Sequence, residues 1–506
     1  MQGSSVADPE LLDAAALCGH LVPAGSVYAF LAEHRGELFP DEAFADLFPS
    51  GRGRPSVPAD VIAVAMVLKE LEGLSDRQAA RALATDIQWK VAAGLSLADD
   101  SFDPSVLVYW RRRLNASACP YRIDEAVKGV AAQTGVLHGR ARRALDSTVL
   151  DDAVATQDTV TQLVAAIRKV RKLVPAARDV AVSAHDYDRG GKPDCAWDDD
   201  VAREALVSAL VADALALIDA LPVHGLGDDQ ERAVALLALV AGQDVEPGET
   251  PGSWRIARAV ARDRVVSVTD PESRHVHKTR NAHRDGYKAH VAVEPETGLV
   301  TGQDLTAGNT PDGPTGVALL DGEPQPVQVL ADSAYGSGPT RAALAQAGHT
   351  QTIKPRPTRP AVPGGFARDD FRVDHTARTV TCPNGVTVAI NHTGMVRFGA
   401  HCAGCPLRAR CTTSAKGRSV AVSDHDDQLV AARAHAATDA FDTSYRRWRP
   451  MVERSISWLV AHGHRRVRYR GAHRNRLWLS LRVAAVNLRR LLNLGLHRTH
   501  TGWAVA

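Results

Sequence analysis

Apolar positions recur near helical period through the first quarter of the chain. After Pro58, residues Val61, Ile62, Ala65, Met66 and Leu68 predict a buried helix. Ser75 followed by Gln78 forms a capping box and opens a second helix, Asp76–Ala84. Thr85 or Asp86 caps a short third helix through Trp89. Asp103-Pro104 supplies a cap and a first-turn proline for a helix that ends in Arg111, Arg112 and Arg113. Short helices in succession with a basic end suit a DNA-reading unit, here over 26–135, behind an N-terminal tail of 1–25.

The pattern changes near Ala141. Ala144–Leu150 is apolar and β-branched with one acid, Asp146, and predicts a strand. Helical texture returns at Val160, Leu163, Val164, Ile167 and Val170, then from Leu206 to Leu221, then at Glu231–Ala241 and Trp254–Arg262. Asp186–Asp198, rich in Gly and Asp, predicts a loop between them. A hairpin follows, with Tyr287–Val293 and Leu299–Leu305 joined by a turn at Glu294–Gly298. Pro311–Leu320 predicts a helix. Val327–Ala331 predicts a central buried strand that runs directly into Asp332. A helix at Thr340–Ala347, a strand at Thr350–Lys354 and a linker at Pro355–Gly365 come next, and helices dominate from Asp427 onward.

Composition adds an asymmetry. The 506 residues carry a formal charge of only +2, with 45% hydrophobic and 23% charged residues, which excludes wholesale disorder. Tyr445–Ala506 nevertheless holds fourteen arginines against one acid, Glu453, a net of +13, so the rest is acidic by 11. Such a block suits a polyanion, with a solvated helix face as the alternative. Tyr445, Trp448, Trp458, Tyr469 and Trp478 interleave with it. A second basic stretch, Arg274, Lys278, Arg280, Arg284 and Lys288, lies along DNA or forms a solvated loop. No apolar run approaches the roughly 20 residues of a membrane span. The start, with Asp8, Glu10 and Asp13, lacks a basic-then-apolar signal, so a cytoplasmic location is expected.

Asp146 and Asp332 are acids on or at the end of apolar strands, which is costly unless they bind something. Carboxylates drawn together repel unless a cation neutralises them. Hard oxygen ligands favour Mg²⁺ or Mn²⁺, and two such ions clamp the attacking and leaving oxygens of phosphoryl transfer. Simple capping or pairing is the alternative for each acid. Tyr445, Arg449 and Glu453 share one helix face at i, i+4 and i+8, although Pro450 opens a new first turn between them. Arg449 suits a phosphate, and an Arg–Glu surface pair is the alternative. Lys354 ends a strand that lies beside the site and is a further phosphate candidate.

These residues resemble the DDE-type bacterial insertion-sequence transposases of the 1182-type family. The likeness runs in order through Ser56-Val57-Pro58 to Gln78 and Trp110–Arg113, then Leu145-Asp146-Ser147-Thr148. It continues through Asp270-Pro271-Glu272-Ser273-Arg274, Gly286–His290 and Leu330–Gly336. Tyr445, Arg449, Val452-Glu453-Arg454, Arg468–Gly471 and Asn487-Leu488 complete it. Related families often place Tyr three positions before Arg; the offset is four here. The resemblance implies an α/β fold: a ribonuclease-H-like DDE core, a mixed sheet flanked by helices. An N-terminal all-α domain, a helical insertion and a small Cys-rich insertion accompany it. The core would use 140–155, 264–355 and the basic helices of 426–495, interrupted by the helical insertion 156–263 and the Cys-rich insertion 356–425, with a tail at 496–506. Asp146, Asp332 and Glu453 would be the catalytic triad and hold two Mg²⁺ or Mn²⁺. Asp151 and Asp152 are rival first acids, ranked lower because they follow the strand.

Cys382, Cys402, Cys405 and Cys411 suit a closed structural Zn²⁺ site in an insert with few apolar residues, with His401 as substitute ligand. Reduced thiols or a redox pair are the alternatives. The expected function is cleavage at insertion-sequence ends and transfer of the freed 3′-OH into target DNA, by a homodimer or higher oligomer in a bacterial, nucleoid-associated setting. The alternatives are a transposase-derived DNA-binding protein without catalysis and a nuclease of the same fold without strand transfer. Arg111, Arg112, Arg113, Lys354, Tyr445, Arg449, Arg465, Arg466 and Arg468 are the expected DNA contacts.

Overall fold

A computed structural model describes all residues except 6–11, 223–224 and 280–281, and leaves the side chains of 277–279 and 282 undescribed. The N-terminal helices are α1 (Val27–Leu38), α2 (Ala59–Glu72), α3 (Asp76–Thr85), α4 (Ile87–Ala93), α5 (Ser105–Ala116) and α6 (Arg122–Gln133). The Ser75–Gln78 capping box forms, and Asp86 caps α4 through the Gln88 and Trp89 amides. Helix α2 is buried along nearly its whole length because its neighbours surround it.

Strand β1 (Arg142–Asp151) opens the central sheet. Helices α7 (Thr159–Leu173), α8 (Asp200–Ala220) and α9 (Asp228–Gln243) then pack around their own core of Leu163, Ile167, Leu210, Leu217 and Leu237. The expected helix at Trp254–Arg262 does not form. Trp254–Ile256 is a strand paired with Val245–Pro247, where Trp254 and Ile256 lie opposite Pro247 and Val245.

The sheet continues with β2 (Arg274–Thr279), β3 (Ala282–Val293), β4 (Val300–Ala307), β5 (Gln328–Ala331) and β6 (Thr350–Ile353), with α10 (Asp312–Ala318) and α11 (Gly338–Gln346) between strands. Its order is β4-β3-β1-β5-β6, with β2 pairing the far half of β3. β1 runs parallel to β5, and β5 to β6, while β3 is antiparallel to both β1 and β4. It is a mixed α/β architecture.

Five short strands of the Cys-bearing insert surround Phe371, Val380, Val396, Phe398 and Val420. Helices α12 (Asp426–Ala436), α13 (Asp439–Trp448), α14 (Pro450–Val460) and α15 (Ala472–Asn493) close the chain. Helix α15 is buried on two sides. Leu477, Leu481, Leu488 and Leu491 join the core of the N-terminal helices, while Trp478, Leu479, Val483 and Val486 pack on the sheet. Buried Trp478 is therefore core rather than a stacking platform.

The same joint explains Gly73, which ends α2 in the left-handed region at φ 74°. A Cβ there would stand 2.3 Å from the His462 carbonyl oxygen, so glycine lets the 461–471 segment reach the N-terminal helices. Among the described residues no helix is long and apolar enough to cross a membrane.

Candidate active site

The parallel register pairs Ala144 with Leu330. Two residues further on come Asp146, on β1, and Asp332, just past the end of β5; side chains alternate along a strand, so each acid continues the face of Ala144 and Leu330, and the Asp332 charge acts on the Asp146 carboxyl. That face packs on α14 and α15 through Ala144, Leu150, Val291, Val452 and Trp478. Asp332 stops β5 by capping the next turn, accepting the Ala334 amide at 2.8 Å. Lys354 is exposed, and its amide bonds the carbonyl of Ala331 at 3.0 Å, one residue from Asp332.

Arg449 reaches this pair from the junction of α13 and α14. Pro450 begins α14, but Arg449 keeps helical backbone angles, so Tyr445, Arg449 and Glu453 stay on one side. The Arg449 side chain is only 5% exposed; its Nη2 lies 2.8 Å from Asp146 Oδ2. Nη1 lies 3.7 Å from Glu453 Oε1, whose side chain is 68% exposed. Nε and Nη1 are buried and have no hydrogen-bond partner.

Burial pushes the Asp146 carboxyl up; Arg449 opposes this, and Asp332 adds to the rise. Burial works against the Arg449 cation, but Asp146 outweighs it and holds the guanidinium above its ordinary value. Burial also raises the Tyr445 hydroxyl, which senses the charges of Arg449, Asp332, Asp146 and Glu453. Tyr445 stacks on Phe441 with centroids 5.6 Å apart.

One expectation about metals needs correction. Among the described residues no group of three or more His, Cys, Asp or Glu is disposed to hold a metal ion. Of the three acids, Asp146 and Glu453 meet the Arg449 guanidinium, at 2.8 and 3.7 Å, while Asp332 acts on the Asp146 carboxyl by its charge. The expected zinc site of Cys382, Cys402, Cys405 and Cys411 is not formed. The four thiols and His401 line one small cavity of about 20 Å³, but Cys402 and Cys411 are buried as members of the insert's apolar core.

Arg111 is removed from the expected DNA contacts. It is buried, bonds Asp76 through Nη1 and Nη2 at 2.9 and 2.5 Å, and lies 5.0 Å over the Tyr469 ring. Arg112 is exposed; Arg113 is exposed too but donates to the Leu47 carbonyl at 2.7 Å. Arg465 bonds Thr148 Oγ1 at 2.6 Å, two residues along β1 from Asp146 and on the same face. Arg466 and Arg468 are exposed, and each donates at 2.8 Å to a carbonyl, of Asp152 and Gly73 respectively.

The second basic stretch does not form a free cationic surface. Arg274 donates to the Ser273 carbonyl at 2.9 Å, Arg284 pairs with Asp151 at 3.3 Å, and Lys288 pairs with Asp312 at 3.1 Å. The Lys278 side chain and Arg280 lie outside the described residues. Of the rival acids, Asp151 is taken by Arg284, and Asp152 is buried and bonded by Ser273 at 2.6 Å.

Sequence reasoning overlooked Asp312. Its Oδ1 accepts the Ser147 hydroxyl at 2.7 Å, and Lys288 donates to the Thr310 carbonyl at 2.8 Å beside it. His290, fully buried, meets Thr306 at 2.9 Å and is pushed down to about 4, burial being the main cause. This cluster grips β1 at Ser147, on the sheet face opposite Asp146. The signal was present: an acid at the start of a helix, two basic residues at alternate positions of a strand, Lys288 and His290, and a hydroxyl next to Asp146.

Residues 381–492 match the family described as Transposase DDE domain, and residues 18–113 match the one described as Transposase domain (DUF772). The first match contains Glu453, α12–α14 and all but the last residue of α15; the second contains α1–α4 and most of α5. No curated protein and no solved structure matches the chain.

Proposed function

Since the two family matches indicate an insertion-sequence transposase of the DDE type, we propose that the protein binds the ends of an insertion sequence, cuts there and joins the freed 3′-OH to target DNA. The observation that supports this reading is the parallel pairing of Ala144 with Leu330, each two residues before an acid, together with the ion pairs of Arg449 to Asp146 and Glu453. The strand order β4-β3-β1-β5-β6, parallel only on one side of β1, supports a ribonuclease-H-like core. DNA would be met by the N-terminal helices for recognition and by Lys354, Tyr445, Arg449 and Arg465 at the site.

In the first step water attacks the scissile phosphorus, and the 3′ oxygen leaves and takes a proton. In the second, the freed 3′-OH attacks a target phosphorus, gives up its proton, and the target's own 3′ oxygen departs. The donor set fits Mg²⁺ or Mn²⁺, two per site in this reading, because Asp146 and Asp332 offer paired hard oxygens whose mutual repulsion a cation relieves. When bound, such ions supply charge stabilisation to the attacking and leaving oxygens. Asp146 and Asp332 would hold them, and the exposed Glu453 would complete the set. Arg449 brings two buried donors without a hydrogen-bond partner, Nε and Nη1, the latter ion-paired with Glu453 at 3.7 Å, to the same face, suited to a phosphate oxygen. Zinc is not carried into this reading. A homodimer or higher oligomer on nucleoid DNA belongs to it.

The test is a labelled duplex carrying the element end, incubated with target plasmid and Mg²⁺. Joined product is expected from the wild-type protein, and a loss of several orders of magnitude from Asp146→Asn, Asp332→Asn and Glu453→Gln with DNA binding retained. Cutting without joining makes the protein a nuclease; binding without cutting makes it a DNA-binding derivative.

A further inference from the structure

The helical insertion is acidic overall. Between residues 156 and 263, eighteen acids stand against twelve bases. Five of those twelve bases fall between 168 and 178, a stretch of eleven residues without an acid. They sit on the last turns of α7 and the turn beyond it. Cations near a helix C-terminus favour the helix dipole, which accounts for one or two of them. It does not account for five, since like charges one turn apart, such as Arg168 and Lys172, weaken a helix.

Elsewhere in the insertion five of the seven cations are matched, among them Lys192 with Asp158 at 2.7 Å, Arg232 with Asp229 at 2.8 Å and Arg255 with Glu246 at 2.9 Å, and the two that are not, Arg258 and Arg262, do not line the concavity described next. Within the stretch, Arg171 turns inward and donates to the Ala177 carbonyl at 3.2 Å, and Arg178 Nε donates to the Arg171 carbonyl at 3.2 Å. Arg168, Lys169 and Lys172 have no hydrogen-bond or ion-pair partner among the described residues. With Arg178 they line a concavity of about 450 Å³, floored by Tyr187, with Asp188 the only acid on its wall. Tyr187 is itself fixed, its hydroxyl donating to buried Asp213 at 2.7 Å.

We propose that this concavity at the end of α7 is a DNA phosphate-binding surface, separate from the N-terminal helices and from the carboxylate site. Arg168 and Lys172 are about 6 Å apart along the helix axis. Two phosphates of one strand, each about 3.4 Å of duplex axis, fall within that reach. Three cations without internal partners have only water and counterions to give up, so an approaching phosphodiester backbone releases salt rather than breaking ion pairs. The contact positions duplex without reading bases. This inference rests on the proposed action on DNA and extends it to the insertion.

The experiment uses the full chain and measures affinity for an element-end duplex and an unrelated duplex over a salt series. Arg168→Gln/Lys169→Gln/Lys172→Gln should lower the salt slope by up to about 2.7, at about 0.9 per lost phosphate contact, equally on both duplexes. Arg232→Gln, in which a matched surface cation is removed, should leave the slope unchanged. Lys172→Gln alone, at an exposed position, should lower it by about 0.9 and serves if the triple variant does not fold. Absence of any salt-dependent binding by the wild-type protein overturns the DNA-acting reading itself. A steep wild-type slope that persists in both variants overturns only this surface. So does an unchanged slope accompanied by altered self-association, which would assign the concavity to an acidic protein face.

Discussion

The C-terminal arginines and the short cationic stretch of α7 reverse the ranking that charge alone suggests. The former carry +13 over Tyr445–Ala506; the latter lies in a segment where acids prevail. Yet much of the larger charge is used inside the fold. Arg449 lies on Asp146, Arg465 on Thr148, and Arg482, 1% exposed, donates to the carbonyls of Leu459, Glu70 and Trp458. The smaller cluster keeps three cations without such partners. A count of charges along a chain therefore says little about which of them remain available to a ligand. What decides is whether carbonyls and carboxylates of the folded chain reach them first.

The largest effect should come from the arginine that joins both uses. Arg449→Met leaves Asp146 largely buried without its cation. Breaking such a pair from one side costs about 3–5 kcal/mol when burial is complete, and Asp146, 17% exposed, should fall near the lower figure. Denaturant unfolding at neutral pH measures it. Cleavage of a labelled element end should be lost as well, because the same side chain carries the donors that lack a hydrogen-bond partner. Stability unchanged within about 0.5 kcal/mol would mean that Asp146 does not depend on Arg449 and would weaken the shared-face geometry.

That geometry was partly legible in the sequence. Asp146 and Asp332 could be singled out because acids on apolar strands are unusual. The spacing of Tyr445, Arg449 and Glu453 survived Pro450 because proline at a first helical turn removes no hydrogen bond the helix needs. The capping box at Ser75 and the stop of β5 at Asp332 are local and could be read locally. Long-range pairing was hidden. Nothing near Arg111 announces Asp76 and Tyr469, and nothing in Trp254–Arg262 announces Val245–Pro247 as a strand partner. The cysteines misled for the opposite reason. Their spacing is that of a zinc site, but a thiol is also a small apolar group, and Cys402 and Cys411 are packed as such.

The joint between the N-terminal helices and the 461–471 segment gives the next effect. His464 is fully buried, bonds the Glu70 carbonyl at 3.0 Å, and is pushed down from 6.5 to about 4, chiefly by burial, with Glu70 opposing and Arg482 and Arg468 assisting. Below pH 6.5 the unfolded chain takes up a proton that the folded chain refuses until about pH 4. Stability contributed by this site is thus intact above 6.5 and falls through that window, by roughly 3 kcal/mol at most. His464→Gln should flatten that part of the stability-versus-pH curve. A curve of the same shape in the variant would place the acid sensitivity elsewhere, His290 being the first alternative.

Arg482→Met tests the buried end of the comparison. Burial pushes this guanidinium down to about 10, so the fold already bears the cost of holding a charge there. Replacement by an apolar side chain relieves that cost but takes the Arg482 donor from the Leu459, Trp458 and Leu71 carbonyls, while the Glu70 carbonyl keeps His464. The net loss should be about 1–3 kcal/mol, and DNA affinity corrected for unfolded protein should not change. A fall in affinity without a fall in stability would show that Arg482 is reachable by DNA.

The smallest effect should come from Arg465, Arg466 and Arg468, which charge alone would rank among the strongest DNA contacts. Arg465 is half-buried and held by Thr148, while Arg466 and Arg468 are exposed but each is tethered to a carbonyl. A tethered guanidinium retains free N–H groups, so it still meets a phosphate, but from a fixed position that suits only one approach of the duplex. Neutralising all three to Gln should lower the salt slope by about 0.9, the value of one contact, rather than by three times that amount. The α7 variant measured in the same series supplies the contrast. Equal losses from the two variants would erase the distinction between used and available cations. A larger loss from the C-terminal trio would restore the ranking that the sequence charge implied.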